Sequence, residues 1–165
     1  MFRTTCGLVL AGLFLAGCDD PAMHPPKASV AIAPAWPTAA ALTSLRGALG
    51  SCESAMDGAA DSIGQLAANG RAAAQGRPVI EQARLICDGA TAEIRSLPLW
   101  GRLKDPCAQA AHARQAVATG ALDVLDGRAT AVGVPALRDK IADQTSLSRA
   151  CAGEIALAER QAAPG

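Results

Sequence analysis

The sequence predicts an all-α protein, an antiparallel up-down-up-down four-helix bundle carried on a proline-rich N-terminal tether. Four segments repeat small and apolar residues in alternating steps of three and four, the spacing of a helical seam. No segment alternates at period two, so no strand is expected. Short connections containing Gly and Pro separate the four segments, which favours antiparallel neighbours.

Residues 1–17 have the organisation of an export signal. Arg3 is the positive side chain of the leader, and residues 6–17 are continuously apolar or small. This run is too short to span a hydrocarbon core of about 30 Å comfortably. We therefore expect the leader to be cleaved and not to remain as a membrane helix.

The leader ends in Leu15-Ala16-Gly17-Cys18. This tetrapeptide resembles the lipobox of bacterial lipoprotein precursors, and the resemblance implies cleavage before Cys18 and diacylation of that residue. It further implies a lipid-anchored protein of the bacterial cell envelope that faces the periplasm, since two or three acyl chains anchor stably. In enteric bacteria an acidic residue such as Asp19 resembles the signal for the inner membrane, which favours that membrane here.

The segment after Cys18 is expected to be a tether. Five prolines lie between residues 19 and 37, among few large apolar side chains. Such a stretch cannot bury a core and tends toward an extended polyproline conformation. At about 3.1 Å per residue it reaches up to ~60 Å. The chain thus divides into a leader (1–17), a lipidated cysteine with its tether (18–37) and a bundle domain (38–163).

The first two helices have clear boundary signals. The first helix is expected to begin after Thr38 as its N-cap and to end at Asn69-Gly70. In the second helix, Pro78 suits the first turn and Pro98 marks the end. The first seam consists of Leu42, Leu45, Leu49, Cys52, Met56, Ala59, Ile63 and Leu66. The second consists of Ile80, Ala83, Cys87, Ala90, Ile94 and Leu97.

The third and fourth helices have weaker seams. Asp105-Pro106 predicts the start of the third helix, Gly127 its end, and Arg114 interrupts its apolar face. The fourth is expected from about Val134 or Pro135 to Ala162. The third seam is Cys107, Ala111, Ala118, Leu122 and Leu125, and the fourth is Val134, Leu137, Ile141, Gln144, Ser148, Cys151, Ile155 and Ala158.

Each helix carries one cysteine on its seam: Cys52, Cys87, Cys107 and Cys151. An even number of cysteines in an exported chain predicts disulfides. In an antiparallel hairpin, residues at equal height lie equidistant from the turn. The midpoint of residues 52 and 87 falls in the connection between the first two helices, and the midpoint of residues 107 and 151 falls in the connection between the last two. We therefore predict the bridges Cys52–Cys87 and Cys107–Cys151. Cys52–Cys151 with Cys87–Cys107 is the second choice, because the midpoint of residues 87 and 107 lies away from the middle of its loop.

The sequence offers little chemistry. His112 is the only histidine of the bundle and is expected at the surface, and Glu53, Asp57 and Asp61 are expected to form a solvated acidic face offset by arginines such as Arg77 or Arg84. No phosphate-binding glycine loop, catalytic triad or haem-attachment motif occurs. We therefore expect no enzyme, cofactor or metal. Zero net charge and scarce aromatic residues argue against nucleic acid.

The connection between the second and third helices is the candidate interaction patch: Leu99, Trp100, Arg102, Leu103 and Lys104. These residues either form an exposed surface for lipid headgroups or a partner, or turn inward and close the end of the bundle. By location and elimination, the expected role is a protein-interaction module, such as an envelope adaptor, inhibitor or immunity-type protein, with an envelope protein as partner. The alternative is a bundle that binds a small apolar ligand in an internal pocket.

Overall fold

The computed structural model describes residues 36–71, 75–128 and 133–162, which form four helices. They are α1 (Ala39–Asn69), α2 (Gly76–Ser96), α3 (Gly101–Leu125) and α4 (Gly133–Ala162). The predicted all-α class and the four-helix bundle are confirmed, and the described residues contain no strand. The predicted leader, Cys18 and all but the last two positions of the tether lie outside the described residues.

The ends of α1 follow the predicted capping chemistry. The Thr38 hydroxyl accepts a hydrogen bond from the backbone N–H of Ala41 at 3.1 Å, which satisfies one of the donors left open at a helix start. At the other end Gly70 has a φ of +71°, and its N–H donates to the carbonyl of Leu66. This left-handed conformation is readily available only to glycine, so Gly70 ends α1.

Gly70→Ala is expected to lower the free energy of unfolding by about 1 kcal/mol, because alanine is strained in the left-handed region. Its Cβ would also contact Cγ2 of Val134 at 3.4 Å. Gly89→Ala is the matched control, since Gly89 lies inside α2 and its Cβ would meet open space. There alanine should stabilise by about 0.5–1 kcal/mol. Urea denaturation of both variants checks the opposite signs, and a stabilised Gly70→Ala would contradict the capping role.

The predicted start of α3 at Asp105-Pro106 is wrong. The helix begins at Gly101, with Trp100 as N-cap, and Pro106 lies inside it. The first backbone bonds run from the N–H groups of Leu103 and Lys104 to the carbonyl of Trp100. Pro106 has no N–H to donate to the carbonyl of Arg102, so α3 lacks one helical hydrogen bond there, while the earlier start buries Leu103.

The core is rich in alanine. Its largest fully buried aliphatic side chains are few: Leu45, Leu66, Ile80, Ile94, Leu103, Val117 and Leu137. Disulfide bonding is confirmed, and the bonded pairs are Cys52–Cys87 and Cys107–Cys151, with Cα–Cα distances of 4.6 and 4.7 Å. One bridge joins α1 to α2 and the other joins α3 to α4. Cross-links therefore supplement a core with little large apolar volume.

Ion pairs join α2 to α3 at one end of the bundle. Arg77, near the start of α2, donates hydrogen bonds to Asp126 after α3 and to Glu81 one turn along α2. The hydrogen bond from Arg77 is the main reason that the pKa of Asp126 lies below its ordinary value, and Arg128 adds to the effect. The same contact raises the pKa of Arg77.

Asp126 is therefore expected to contribute to acid sensitivity. A lowered carboxyl pKa in the folded state gives stability that is present above the ordinary pKa of 3.8 and is lost as the pH falls through the lowered value. Asp126→Asn should flatten the pH dependence of the unfolding free energy below about pH 4. Asp61→Asn is a control on α1. Identical acid profiles for wild type and Asp126→Asn would show that the pair carries no such linkage.

Candidate functional site

The edge between α1 and α4 is the most open side of the bundle. α3 packs closely against both α2 and α4, and α1 packs against α2, but of the helix pairs in contact α1 and α4 have the fewest neighbouring residues. The seam of α4 was expected to be weak, and its buried residues are Leu137, Cys151 and Ala158. Ile141 and Ile155 on the same seam are half-buried. The two helices leave a groove between them instead of a closed seam.

The α1–α4 groove has two parts. The first has a volume of about 410 Å³ and is lined by Arg46, Leu49, Gly50, Glu53, Arg114, Ser148, Cys151, Ala152, Ile155, Ala156 and Glu159. The second, about 260 Å³, is lined by Met56, Asp57, Ala60, Ile63, Gly64, Val117, Ile141 and Gln144. From residue 46 to residue 63 of α1 the two parts extend over about 25 Å at 1.5 Å per residue. That length matches a helix of four to five turns.

A buried arginine lies in the first part of the groove. Arg114 of α3 is only 6% exposed, and its guanidinium pairs with the carboxylate of Glu53, whose side chain is 55% exposed. At the rim, Arg46 of α1 pairs with Glu159 of α4. The groove thus combines apolar walls with one arginine–glutamate pair inside and another bridging its edge. Burying an arginine is costly unless it is paired, which accounts for the contact with Glu53.

Two polar residues of α4 also line the groove. The hydroxyl oxygen of Ser148 is buried and has no hydrogen-bond partner among the described residues. Gln144, one turn earlier, lines the second part. An unsatisfied buried hydroxyl is destabilising in a closed core. Its position beside an open groove places it where an incoming polar group could satisfy it.

The predicted interaction patch is only partly at the surface. Leu99 is 8% exposed and Leu103 1%, so these two leucines turn inward, which is the second of the two arrangements expected for this connection. Arg102 is exposed and pairs with Glu154 of α4. Trp100 is half-buried, and Lys104 is also half-buried.

The acidic residues of α1 are offset differently from the prediction. Glu53 pairs with Arg114 of α3, whereas Arg77 pairs with Glu81 and Asp126, so an arginine of α2 does not neutralise Glu53. The reason is that Glu53 faces the groove and not the α1–α2 contact. The described residues contain no group of three or more His, Cys, Asp or Glu arranged to hold a metal ion.

His112 is exposed, and its Nδ1 lies 2.9 Å from the side-chain oxygen of Gln115 one turn along α3. This position agrees with the expected surface histidine. His112 does not line either part of the α1–α4 groove.

Glu53→Ala is expected to destabilise the fold by about 1–2 kcal/mol, because it leaves a buried guanidinium without its partner. Arg114→Met should be close to neutral, since a similar apolar volume replaces the buried charge. The double variant should then be more stable than Glu53→Ala alone. Asp57→Ala, one turn away, is the control with little expected effect. If Glu53→Ala lowers the free energy of unfolding by the same amount in the wild-type and Arg114→Met backgrounds, Glu53 and Arg114 are not coupled.

Comparisons with known proteins give no relative from which to infer a role. No protein-family model, curated protein or solved structure matches the chain. Among the described helices, none combines the length and apolar character needed to cross a membrane. We therefore infer the role of this protein from the groove and from the ends of the bundle.

Proposed function

We propose that this protein is a lipid-anchored protein-interaction module of the bacterial envelope, facing the periplasm, and that it docks a partner protein in the α1–α4 groove. The partner contributes an amphipathic helix. The single observation that supports this proposal most is the open edge of the bundle, where residues on the seams of α1 and α4 line two adjoining parts of a groove along about 25 Å.

The groove suits a helix better than a small molecule. Helix-in-groove recognition places the anchor residues of an amphipathic helix into an apolar groove, and apolar wall residues are present in both parts here, among them Leu49, Ile63, Ile141 and Ile155. The alternative expected from the sequence, a small apolar ligand in an internal pocket, fits less well because these two parts are open and contain charged side chains.

The charged residues of the groove supply specificity. In the first part, Arg114 is buried and paired with Glu53, whose carboxylate is 55% exposed, so a donor group on the partner helix is favoured beside Glu53. Asp57 lines the second part of the groove, where a basic residue of the partner is also favoured. A partner helix with acidic residues at these two positions would place like charges together, so the arrangement selects against it.

Anchoring through Cys18 is the second part of the proposal, and the lipobox supports it. Metabolic labelling with an alkyne-bearing palmitate tests it directly. We expect label in the mature protein and none in Cys18→Ser, with the variant released from the membrane fraction. A Cys18→Ser chain that is processed and retained like wild type would contradict lipid anchoring.

Blocking the groove tests the docking site. Ala152 is exposed on α4 and lines the groove, so Ala152→Trp should fill it without disturbing the core. We expect at least a tenfold loss in the quantity of partner recovered with the affinity-tagged mature protein from envelope extract, equivalent to about 1.4 kcal/mol. Ala92→Trp, an exposed alanine of α2, is the matched control. Equal recovery of the same partner by both variants would exclude the groove.

A further inference from the structure

Both tryptophans of the chain lie at one end of the bundle. Trp36 precedes α1 and Trp100 is the N-cap of α3, and their rings meet edge to face with centroids 4.5 Å apart. Trp36 is 54% exposed. The only other exposed large apolar side chains among the described residues are Val79 and Leu85, both on α2. The Trp36–Trp100 pair thus presents an indole ring to the surroundings beside the buried end of the bundle.

Basic and acidic side chains both lie at this end. Lys104 lies in the first turn of α3, next to exposed Arg102, which pairs with Glu154 of α4. Arg160 lies in the last turn of α4, and that turn is at the same end because Glu159 pairs with Arg46 near the start of α1. Tryptophan flanked by lysine and arginine is typical of protein surfaces at the boundary between lipid headgroups and acyl chains.

We infer that this end of the bundle rests on the membrane, with the Trp36 ring in the headgroup region of the bilayer. The inference builds on the proposed anchor, because Trp36 follows the lipid-bearing Cys18 by 18 residues. A tether of that length keeps the end of the bundle within ~60 Å of the bilayer. The tether therefore gives the end of the bundle a high effective concentration at the bilayer, so that even a weak contact between Trp36 and the lipids is populated.

This contact orients the domain. With α1 starting at the membrane, the long axis of the bundle and the α1–α4 groove extend away from the bilayer. A partner helix can then approach the groove from the aqueous side. Without the contact, the tether alone would leave the domain free to rotate.

Fluorescence on vesicles tests the inference independently of acylation in the cell. From residue 18 onward, Cys18 is the only cysteine outside the two bridges, so its thiol can be coupled to a maleimide lipid in phosphatidylcholine–phosphatidylglycerol vesicles. The chain has no tyrosine, and in Trp100→Phe only Trp36 remains as a strong fluorophore. We expect its emission to shift to shorter wavelength and to lose about half its intensity when the lipids are brominated near the headgroup.

The matched control places the fluorophore at the opposite end. Val79→Trp lies in the first turn of α2, about 25 Å from the end of that helix, and carries Trp36→Phe and Trp100→Phe. Its emission should not respond to the bromine atoms. If Trp100→Phe unfolds by circular dichroism, the difference between wild type and Trp36→Phe gives the Trp36 signal instead. Unchanged Trp36 emission on coupled vesicles, or equal quenching at both ends, would overturn the inference while leaving the anchor and the groove intact.

Discussion

Replacing Cys107 and Cys151 together by alanine is expected to lower the free energy of unfolding by about 4 kcal/mol. The bridge closes a loop with a sequence separation of 44 residues, and in the chain-entropy model a loop of that size gives this magnitude. It also holds a helix that buries few side chains, because Leu137, Cys151 and Ala158 are the buried residues of α4. A small domain has only about 5–15 kcal/mol of total stability, so this loss is large.

Urea denaturation followed by circular dichroism measures the effect. The matched control is Cys52→Ala with Cys87→Ala, which opens a separation of 35 residues between two well-packed helices. We expect a similar loss of stability from opening this loop. In the native state of the control, however, the amide hydrogens of α4 should exchange more slowly than in the variant that lacks the Cys107–Cys151 bridge. A loss below about 1 kcal/mol for the Cys107–Cys151 pair would show that packing alone holds α4 in place.

Leu45→Ala is expected to destabilise the domain by about 3 kcal/mol. Leu45 is fully buried in α1, and its truncation leaves a cavity in an alanine-rich core. With few large side chains in the core, the neighbours cannot collapse into the space by changing rotamers. The melting temperature should fall by roughly 10 °C in a domain of this size.

Leu85→Ala is the control for this variant, because Leu85 is 59% exposed on α2. Its effect should stay within about 0.5 kcal/mol. Similar melting temperatures for the two variants would show that α1 does not pack as described. Set beside the two disulfide variants, the Leu45→Ala result also compares the stability lost with apolar burial to the stability lost with a bridge.

Much of the fold followed from the spacing of apolar residues. The three-four repeat and the Thr38 and Gly70 signals placed α1, because that helix buries one continuous face and ends at a glycine with positive φ. The cysteine spacing gave the bonded pairs, since antiparallel helices bring residues equidistant from a turn to the same height. These features depend on local chain geometry, which sequence patterns express directly.

The groove could not be predicted from the same patterns, although its residues were visible. Arg114 interrupts the third seam and Gln144 and Ser148 are polar members of the fourth, and all three line the groove. A seam pattern shows that a residue faces inward but not how far two helices diverge, which depends on side-chain volumes across the whole bundle. The start of α3 was missed for a related reason, because burial of Leu103 outweighed the helix-start signal of Asp105-Pro106.

Site-specific photocrosslinking in living cells tests the central claim most directly, that the α1–α4 groove is the working surface of this domain. Benzoylphenylalanine at Ala156, which lines the groove, should yield one discrete adduct with an envelope protein. The same probe at Leu85, exposed on α2, should not yield that adduct. Adducts of equal size and intensity from both positions, or none from Ala156 in a correctly folded and anchored protein, would contradict the account.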